Sequence, residues 1–470
     1  MCLFAVALTV TPFALADSRQ FDVFVSGTDG YHTYRIPAIV TSTQGTVLAF
    51  CEGRKRSASD TGKIDLLLKR STDGGNTWSA QQIVFSDGDN VCGNPAPVVD
   101  HTTGAIWLLT TWNLGSDHER DIMQGTSKDT RRVFVTHSTD DGHTWSKPTE
   151  ITTAVKKPHW RWYATGPVNG IRLTRGSRQG RLVIPANHSD HSDPASHPYR
   201  AHIIYSDDHG KAWQLGGVQD ELTNESTLVE LEDGALLHNM RSYHKKNLRA
   251  VATSHDSGHT WSDVTLDSAL VEPVCQASIL RLTWPERGQR SRILFSNPAS
   301  TKRERMTVRL SYDEGATWPI SRTLHTGPSA YSCLAILPDQ SIACLYEGGE
   351  KNPYEKIVLA RFSLEWLTDG QDSTHVKKGR RQPLCLTPLP CPTSPPPSRS
   401  AKVATAGYIE MAQAIPGARD RSRHVRSVVY PQVGGAAAGL PVEKRVAKWH
   451  PLDNRRFSAR GKAGYRSPAA

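Results

Sequence analysis

The sequence predicts an all-β fold, a six-bladed β-propeller of four-stranded antiparallel blades, and three observations carry that prediction. An eight-residue phrase, S-x-D-x-G-x-[TA]-W, occurs five times, beginning at Ser71, Ser138, Ser206, Ser254 and Ser311. Short β-like runs precede its copies, as in Arg132–Thr136 and Met306–Leu310. Two further strand-like groups recur six times each between the phrases. Repeats of 48 to 68 residues built from strands suit blades arranged about a central channel.

Each residue type of the phrase suits a hairpin turn. The Asp carboxylate accepts from turn N–H groups, the Gly takes positive φ, and the Trp covers the turn. The first strand group begins at Tyr34-Arg35-Ile36-Pro37, Asn94-Pro95, Gly166-Pro167-Val168-Asn169, Asn224-Glu225-Ser226, Cys275-Gln276-Ala277-Ser278 and Tyr331-Ser332. The second comprises Thr46–Phe50, Ala105–Leu108, Arg181–Ile184, Ala235–Leu237, Arg292–Phe295 and Ser341–Leu345. The sixth unit has a third strand, Ile357–Phe362, but no phrase after it, so Phe21–Val25 is expected to supply its outer strand and close the ring.

Charge divides the chain. Of 56 Lys and Arg, 18 lie in residues 371–470 with only 5 of the 46 Asp and Glu, so residues 1–370 hold 38 against 41. The net charge of +10 is therefore a property of the tail, and the body carries no nucleic-acid signal. Residues 371–470 turn Pro-rich and then Ala-, Arg- and Gly-rich, which predicts a disordered basic tail after a propeller of residues 17–370. Residues 1–16 are apolar and end in Ala14-Leu15-Ala16, the pattern of a secretory signal, which implies a secreted or periplasmic protein. No other segment is apolar enough to span a membrane. The body holds five Cys without metal-ligand spacing, expected as buried thiols, with a Cys51–Cys344 pair left open.

Several motifs sit where propeller loops meet the channel mouth. Asp117 lies in a long loop; Trp160-Arg161-Trp162-Tyr163 either line a pocket for an apolar acyl group or pack within a blade. His188, His191 and His197 lie in a polar stretch without tight spacing, which predicts solvated loop histidines and no metal. The strand starts and ends contribute Glu225, Arg241, Arg303 or Arg305, Tyr331 and Glu347. These are equivalent positions in the repeat, so the fold brings them to one end of the channel. Several Arg beside Glu, Asp and Tyr suit an anionic ligand, because a guanidinium fork holds a carboxylate with two hydrogen bonds.

Arg35-Ile36-Pro37, then Glu52-Gly53-Arg54, then Asp60 in a polar loop, followed by the five phrases, resemble the sialidase (neuraminidase) family and its Asp boxes over about residues 20–370. The resemblance implies an exo-α-sialidase acting on sialylated glycoproteins, glycolipids and oligosaccharides with no cofactor. It implies that Arg35, Arg241 and Arg303 clamp the substrate carboxylate, with Arg305 the alternative to Arg303 in the run Lys302–Arg305. Glu347 would hold Arg35, Arg54 would neighbour the C4 region, and Asp117 would be a further substrate contact. Tyr331 would be the nucleophile, Glu225 its base and Asp60 the acid/base, giving retention. A neutral phenol avoids the repulsion that a carboxylate nucleophile meets beside the substrate's own carboxylate, and sialidases with a Tyr nucleophile depart from the two-carboxylate scheme of glycosidases. A trans-sialidase would share every one of these residues; a sialic-acid-binding lectin needs the clamp but not Tyr331, Glu225 and Asp60. The last unit lacks an Asp box and the third box has Ala212 in place of Thr.

Overall fold

The repeated phrase folds as its residue types dictate. In the first copy the Asp73 carboxylate accepts from the Thr77 N–H at 2.9 Å and the Thr77 hydroxyl at 2.7 Å, while the Ser71 hydroxyl donates to Asp73 at 2.7 Å and accepts from the Gly75 N–H at 2.8 Å. Asp140, Asp256 and Asp313 repeat the arrangement with Thr144, Thr260 and Thr317. Asp208 keeps the bonds from the Ser206 hydroxyl and the Ala212 N–H, both at 2.9 Å, and lacks only the hydroxyl bond that a Thr would supply.

The Gly in each turn is a point of close approach. A Cβ on Gly75 would meet the Leu359 side chain at 2.3 Å, and one on Gly142 would meet Leu48 at 2.4 Å. The same position meets Trp107 at Gly210, Ile203 at Gly258 and Leu237 at Gly315, all at positive φ. Each turn therefore docks against strands of the repeat that precedes its own in the chain. The first turn, Gly75 on Leu359, docks against the last.

The computed structural model describes residues 18–374 apart from 194, 195 and 287. The expected signal segment and nearly all of the basic tail lie outside the described residues. Antiparallel pairing runs through Thr33–Thr41, Val47–Arg54, Ile64–Ser71 and Gln82–Phe85. It resumes through Val91–Val99, Ile106–Asn113, Arg132–Ser138 and Thr149–Glu150. The next run enters by Trp160–Thr165 and Ile171–Arg172, both on Leu182–Asp190, and continues through Tyr199–Ser206 and Gln214–Glu221. Thr223–Glu230, Leu236–Ser242, Leu248–Ser254 and Thr265–Val271 follow. Ser278–Thr283, Arg292–Pro298 and Glu304–Ser311 then lead into the 17-residue strand Ile320–Ile336. The second half of that strand pairs with Ile342–Gly348, which pairs with Lys356–Phe362, and Arg19–Val25 completes this run as its outer strand.

The third run departs from the sequence reading. Its first strand is split about Gly166-Pro167: Trp160–Thr165 lies ahead of them and Ile171–Arg172 after them, both paired with Leu182–Asp190. Inner strands are tied to one another by side chains across the centre. Gln276 donates to the carbonyls of Pro167 and Ser332 at 3.0 and 2.8 Å and accepts from the Ser332 N–H at 2.9 Å. Thr165 donates to the Asn94 carbonyl at 2.7 Å.

Cores between the strands are apolar, as around Leu48, Phe50, Leu67 and Leu359, each fully buried. Cys51, Cys92, Cys275, Cys333 and Cys344 are all buried free thiols, so the Cys51–Cys344 pair is not formed. His188 is no loop residue: it is fully buried, stacked on Trp160 at 3.4 Å and hydrogen-bonded to His202 at 2.9 Å. Its place in the strand Leu182–Asp190, facing a Trp, explains the difference. Among the described residues no cluster of His, Cys, Asp and Glu is placed to hold a metal ion, and no helix is long and apolar enough to cross a membrane.

Candidate active site

Inner strands carry β-bulges at one repeated place, and the site residues sit on them. Register shifts fall between Arg35 and Ala38, Gly93 and Ala96, Thr223 and Ser226, and Ser329 and Ser332. A bulge adds a residue and re-aims side chains out of the alternation of a regular strand. Ile36 and Asn94 accordingly take positive φ, at 62° and 56°. Arg35, Asn94, Asn224, Glu225 and Tyr331 thereby line one cavity of about 290 Å³. Second strands add Glu52, Arg54, Asn187 and Arg241, and loops add Asp60, Arg303 and Tyr354. A larger cavity of about 530 Å³, lined by the opposite ends of three of these strands at Val40, Val98 and Val229 and by Ile279, holds none of the sequence-predicted site residues.

Arg35 is fixed from behind by Glu347, which is fully buried. Its Nε and Nη2 donate to the two carboxylate oxygens at 3.1 and 3.4 Å. The same carboxylate accepts from the Ile36 and Tyr331 N–H groups at 2.8 and 3.2 Å, so one glutamate holds both bulges. Burial alone would depress the guanidinium, but Glu347, with Tyr331, Tyr354 and Asp60 adding to it, outweighs that and the pKa is raised. Removing Glu347 would leave the buried Arg35 with only the exposed Asp60 at 3.7 Å as a counter-charge, at a cost of up to about 3–5 kcal/mol.

Tyr331 donates to Glu225 Oε1 at 2.6 Å, and Arg241 Nη1 donates to Glu225 Oε2 at 2.7 Å and to the Tyr331 oxygen at 3.3 Å. Arg303 donates to the Tyr354 hydroxyl at 2.7 Å, and its guanidinium carbon stands 5.5 Å from the Tyr331 ring centre. Arg35 lies 5.1 Å from the same ring centre. Burial and then Glu225 push the Tyr331 pKa well up, against the pull of Arg241, Arg303 and Arg35.

Asp60 lies at the exposed lip, its side chain 65% accessible. Arg54 approaches it at 2.6 Å and Arg35 at 3.7 Å. Partial burial pushes its carboxyl up, but Arg54 and then Arg35 outweigh that and hold it below the usual range. Arg54 is itself held by Glu52 at 2.7 Å.

Most of the sequence-predicted residues meet here. Arg303, not Arg305, faces the cavity; Arg305 is exposed at positive φ. Asp117 is not brought in. Its carboxylate accepts from the Asp129 N–H at 3.0 Å and the Ser116 hydroxyl at 3.2 Å, and it closes its own loop. Trp162 lines the cavity whereas Trp160 and Tyr163 are packing, so the aromatic run splits between its two readings.

Sequence reasoning missed Glu52, Asn94, Glu119, Arg131, Asn187, Tyr243 and Tyr354. Asn94 occupies the repeat position of Arg35, which a stricter alignment of the units would have flagged. Arg131 carried no signal. It is buried without a carboxylate partner, donates to Asn94, Thr111 and Asn113, and stacks on Trp162 at 4.0 Å; burial pushes its pKa down to about 10. Glu119 has its carboxyl raised by burial and accepts from the Tyr199 hydroxyl.

An all-β chain of repeated Asp turns, with an arginine-rich cavity built around a paired tyrosine and glutamate, belongs to the class of Asp-turn repeat proteins, and residues 45–344 match the family model for a BNR repeat-like domain. The chain belongs to the sialidase family. It is 36% identical over 357 residues to a sialidase of Micromonospora viridifaciens, covering 74% of this chain and 54% of that protein. It is 33% identical over 381 residues to an exo-alpha-sialidase of Aspergillus fumigatus, covering 73% and 87%. Among solved structures, Hadza microbial sialidase Hz136 superposes with a TM-score of 0.66 at 33% identity, over 74% of this chain and 69% of that one. The chain thus spans about half the length of the Micromonospora relative.

Proposed function

We propose that the chain is a retaining exo-α-sialidase that removes terminal sialic acid from glycoproteins, glycolipids and oligosaccharides, on a six-bladed propeller whose blades are the antiparallel runs described above. The observation that carries the reading is the Tyr331 hydroxyl, 2.6 Å from Glu225 and surrounded by Arg35, Arg241 and Arg303. Three guanidiniums in a small cavity favour a carboxylate-bearing sugar. With that carboxylate on the arginines, the phenol oxygen attacks the anomeric carbon while Glu225 takes its proton, and the aglycone oxygen leaves with the proton of Asp60. Water, deprotonated by Asp60, then attacks the anomeric carbon and breaks the tyrosyl bond while Glu225 returns its proton to the leaving phenolate, which regenerates the phenol and releases the sugar with retained configuration.

The Asp60 carboxyl must be protonated for the first step, although the two guanidiniums favour its anion. Substrate binding supplies the correction. A carboxylate on Arg35 neutralises one of the two cations and adds a negative charge nearby, and both effects raise the Asp60 pKa.

Incubation with a fluorogenic sialoside, with and without lactose, tests the reading. Free sialic acid in both cases supports the hydrolase. Sialyl-lactose as the main product makes the chain a trans-sialidase, and binding without turnover makes it a lectin.

A further inference from the structure

The three guanidiniums around Tyr331 are held in two different ways. Glu347 pairs with Arg35 and Glu225 with Arg241, at 3.1 and 2.7 Å. Among the described residues Arg303 has no carboxylate partner, and it donates instead to the Tyr354 hydroxyl at 2.7 Å. That oxygen carries no formal charge, so it fixes the direction of the guanidinium without neutralising it. The Tyr354 ring meanwhile covers Arg35, whose guanidinium carbon lies 4.2 Å from the ring centre.

Tyr354 lines the cavity and is itself firmly placed. Its ring packs against the buried cluster of Ile36, Cys275, Ala330 and Tyr331. Its N–H donates to Asn352 Oδ1 at 2.9 Å, and its carbonyl accepts from the Ser26 hydroxyl at 2.8 Å. Glu355 closes the loop that carries it, accepting from the N–H groups of Glu350, Lys351 and Asn352 at 3.0, 2.8 and 3.0 Å. The hydroxyl that meets Arg303 thus stands on a ring and a backbone that are both fixed.

We propose that Tyr354 is a positioning residue of the carboxylate clamp, its hydroxyl holding Arg303 in the orientation that meets the ligand; the proposal rests on the sialoside reading above. An arginine side chain has several rotatable bonds, and freezing them during binding costs affinity. For Arg35 and Arg241 a carboxylate does the freezing beforehand, and its negative charge offsets part of theirs. Tyr354 does it for Arg303 and leaves the positive charge whole. A guanidinium has five N–H donors, of which the hydroxyl engages one, so donors remain for a carboxylate. An Asp or Glu at position 354 would orient Arg303 as well but would compete with the ligand for the same fork.

The test is a double-mutant cycle on the full chain: wild type, Tyr354→Phe, Arg303→Met and the two together, with Kd for an unsaturated sialic-acid analogue measured by calorimetry. Tyr354→Phe keeps the packed ring and deletes only the hydroxyl. Alone it should raise Kd about tenfold, the loss of one hydrogen bond to a charged group, and its loss in kcat/KM should fall on KM. With Arg303→Met already in place the same change should alter Kd by less than about twofold, because the hydroxyl then has nothing to orient. A hydroxyl with a purely structural role would cost the same in both backgrounds. An equal loss in the two backgrounds, an unchanged Kd in Tyr354→Phe alone, or a loss confined to kcat overturns the proposal. If the wild type binds the analogue and cleaves no sialoside, the enzymatic reading alone fails and the four Kd values still decide. If the wild type does not bind the analogue, the sialoside reading fails and this proposal falls with it.

Discussion

The Tyr331 hydroxyl stands 2.6 Å from Glu225, although 106 residues separate the two in the chain. Both lie on bulged inner strands. The pair is held from opposite sides: Arg241 takes the second oxygen of Glu225, and Glu347 takes the Tyr331 N–H. Donor and acceptor are thus in place before any ligand arrives, and the buried phenol stays protonated until a carboxylate base removes its proton.

Removing only the hydroxyl separates chemistry from binding. Tyr331→Phe should leave the Arg35–Glu347 pair and the bulge intact while deleting the attacking atom. Turnover should collapse with ligand affinity much less affected, the pattern of a group that acts in the chemical step. Single-turnover kinetics with a fluorinated sialoside, followed by peptide mapping, checks it: the wild type should be labelled at Tyr331 and the variant should not. A label on Asp60 or Glu225, or wild-type turnover in the variant, would remove Tyr331 from the role.

The Arg54–Asp60 contact of 2.6 Å makes a prediction in pH. Arg54 is the strongest of the charges that lower the Asp60 pKa. In the proposed mechanism Asp60 must be protonated in the bound complex, so kcat falls on the alkaline side as Asp60 loses its proton. Arg54→Gln removes the cation, raises the Asp60 pKa and should move that limb to higher pH. A limb that stays in place, or shifts to lower pH, would assign it to another group.

How much of this was legible in the sequence depended on whether a residue repeats. The Asp turns announced themselves because the same few residue types do the same job five times, and the strands between them followed. Tyr331, Glu225, Arg241 and Asp60 were reachable because they occupy strand ends or follow a recognisable phrase. Two things were not legible. Bulges at Arg35 and Asn94 depend on pairing register between strands, which side-chain alternation does not encode when both faces are buried. Tyr354 and Arg131 read as ordinary residues beside a strand, since what distinguishes them is the partners of their hydrogen bonds.

The boundary expected after Gly370 cuts through a packed corner. Asp372 accepts from Arg292 Nε and Nη2 at 2.7 and 2.6 Å and from the Tyr312 hydroxyl at 2.9 Å. The Thr374 carbonyl accepts from Gln289 at 2.6 Å. A chain truncated after Gly370 strands the buried Arg292 without its partner, so it should melt lower than one truncated after Thr374, by an amount on the order of 3 kcal/mol for a broken buried pair. Matched thermal melts of the two chains check this, and equal melting temperatures would show the pair to contribute nothing.

The Asp turns predict a graded response to acid and to two substitutions. In Asp73 and Asp140 the Thr hydroxyl and the Thr N–H stabilise the anion and hold each pKa at about 2. A carboxyl whose folded pKa is depressed contributes stability that is fully present above its unfolded value of about 3.9 and is lost as pH falls through the folded pKa. Stability should therefore decline between about pH 4 and pH 2, and each turn's share is small because the carboxylates face solvent. Thr144→Ala gives the second box the composition the third already has at Ala212. It deletes one exposed hydrogen bond, so it should cost about 0.5 kcal/mol at neutral pH and less once Asp140 is protonated. Gly142→Ala differs in kind. Its φ is 79°, and a Cβ would stand 2.4 Å from the Leu48 side chain in the preceding repeat. It combines backbone strain with forced repacking of a fully buried leucine, and should cost at least about 2 kcal/mol at every pH. Denaturant melts of both variants at pH 7 and at about pH 1, below the folded pKa of Asp140, separate the two effects. A pH-dependent loss in Gly142→Ala, or a loss in Thr144→Ala as large as that in Gly142→Ala, would show that the carboxylate network, and not the docking of the turn on its neighbouring repeat, is what holds the repeats together.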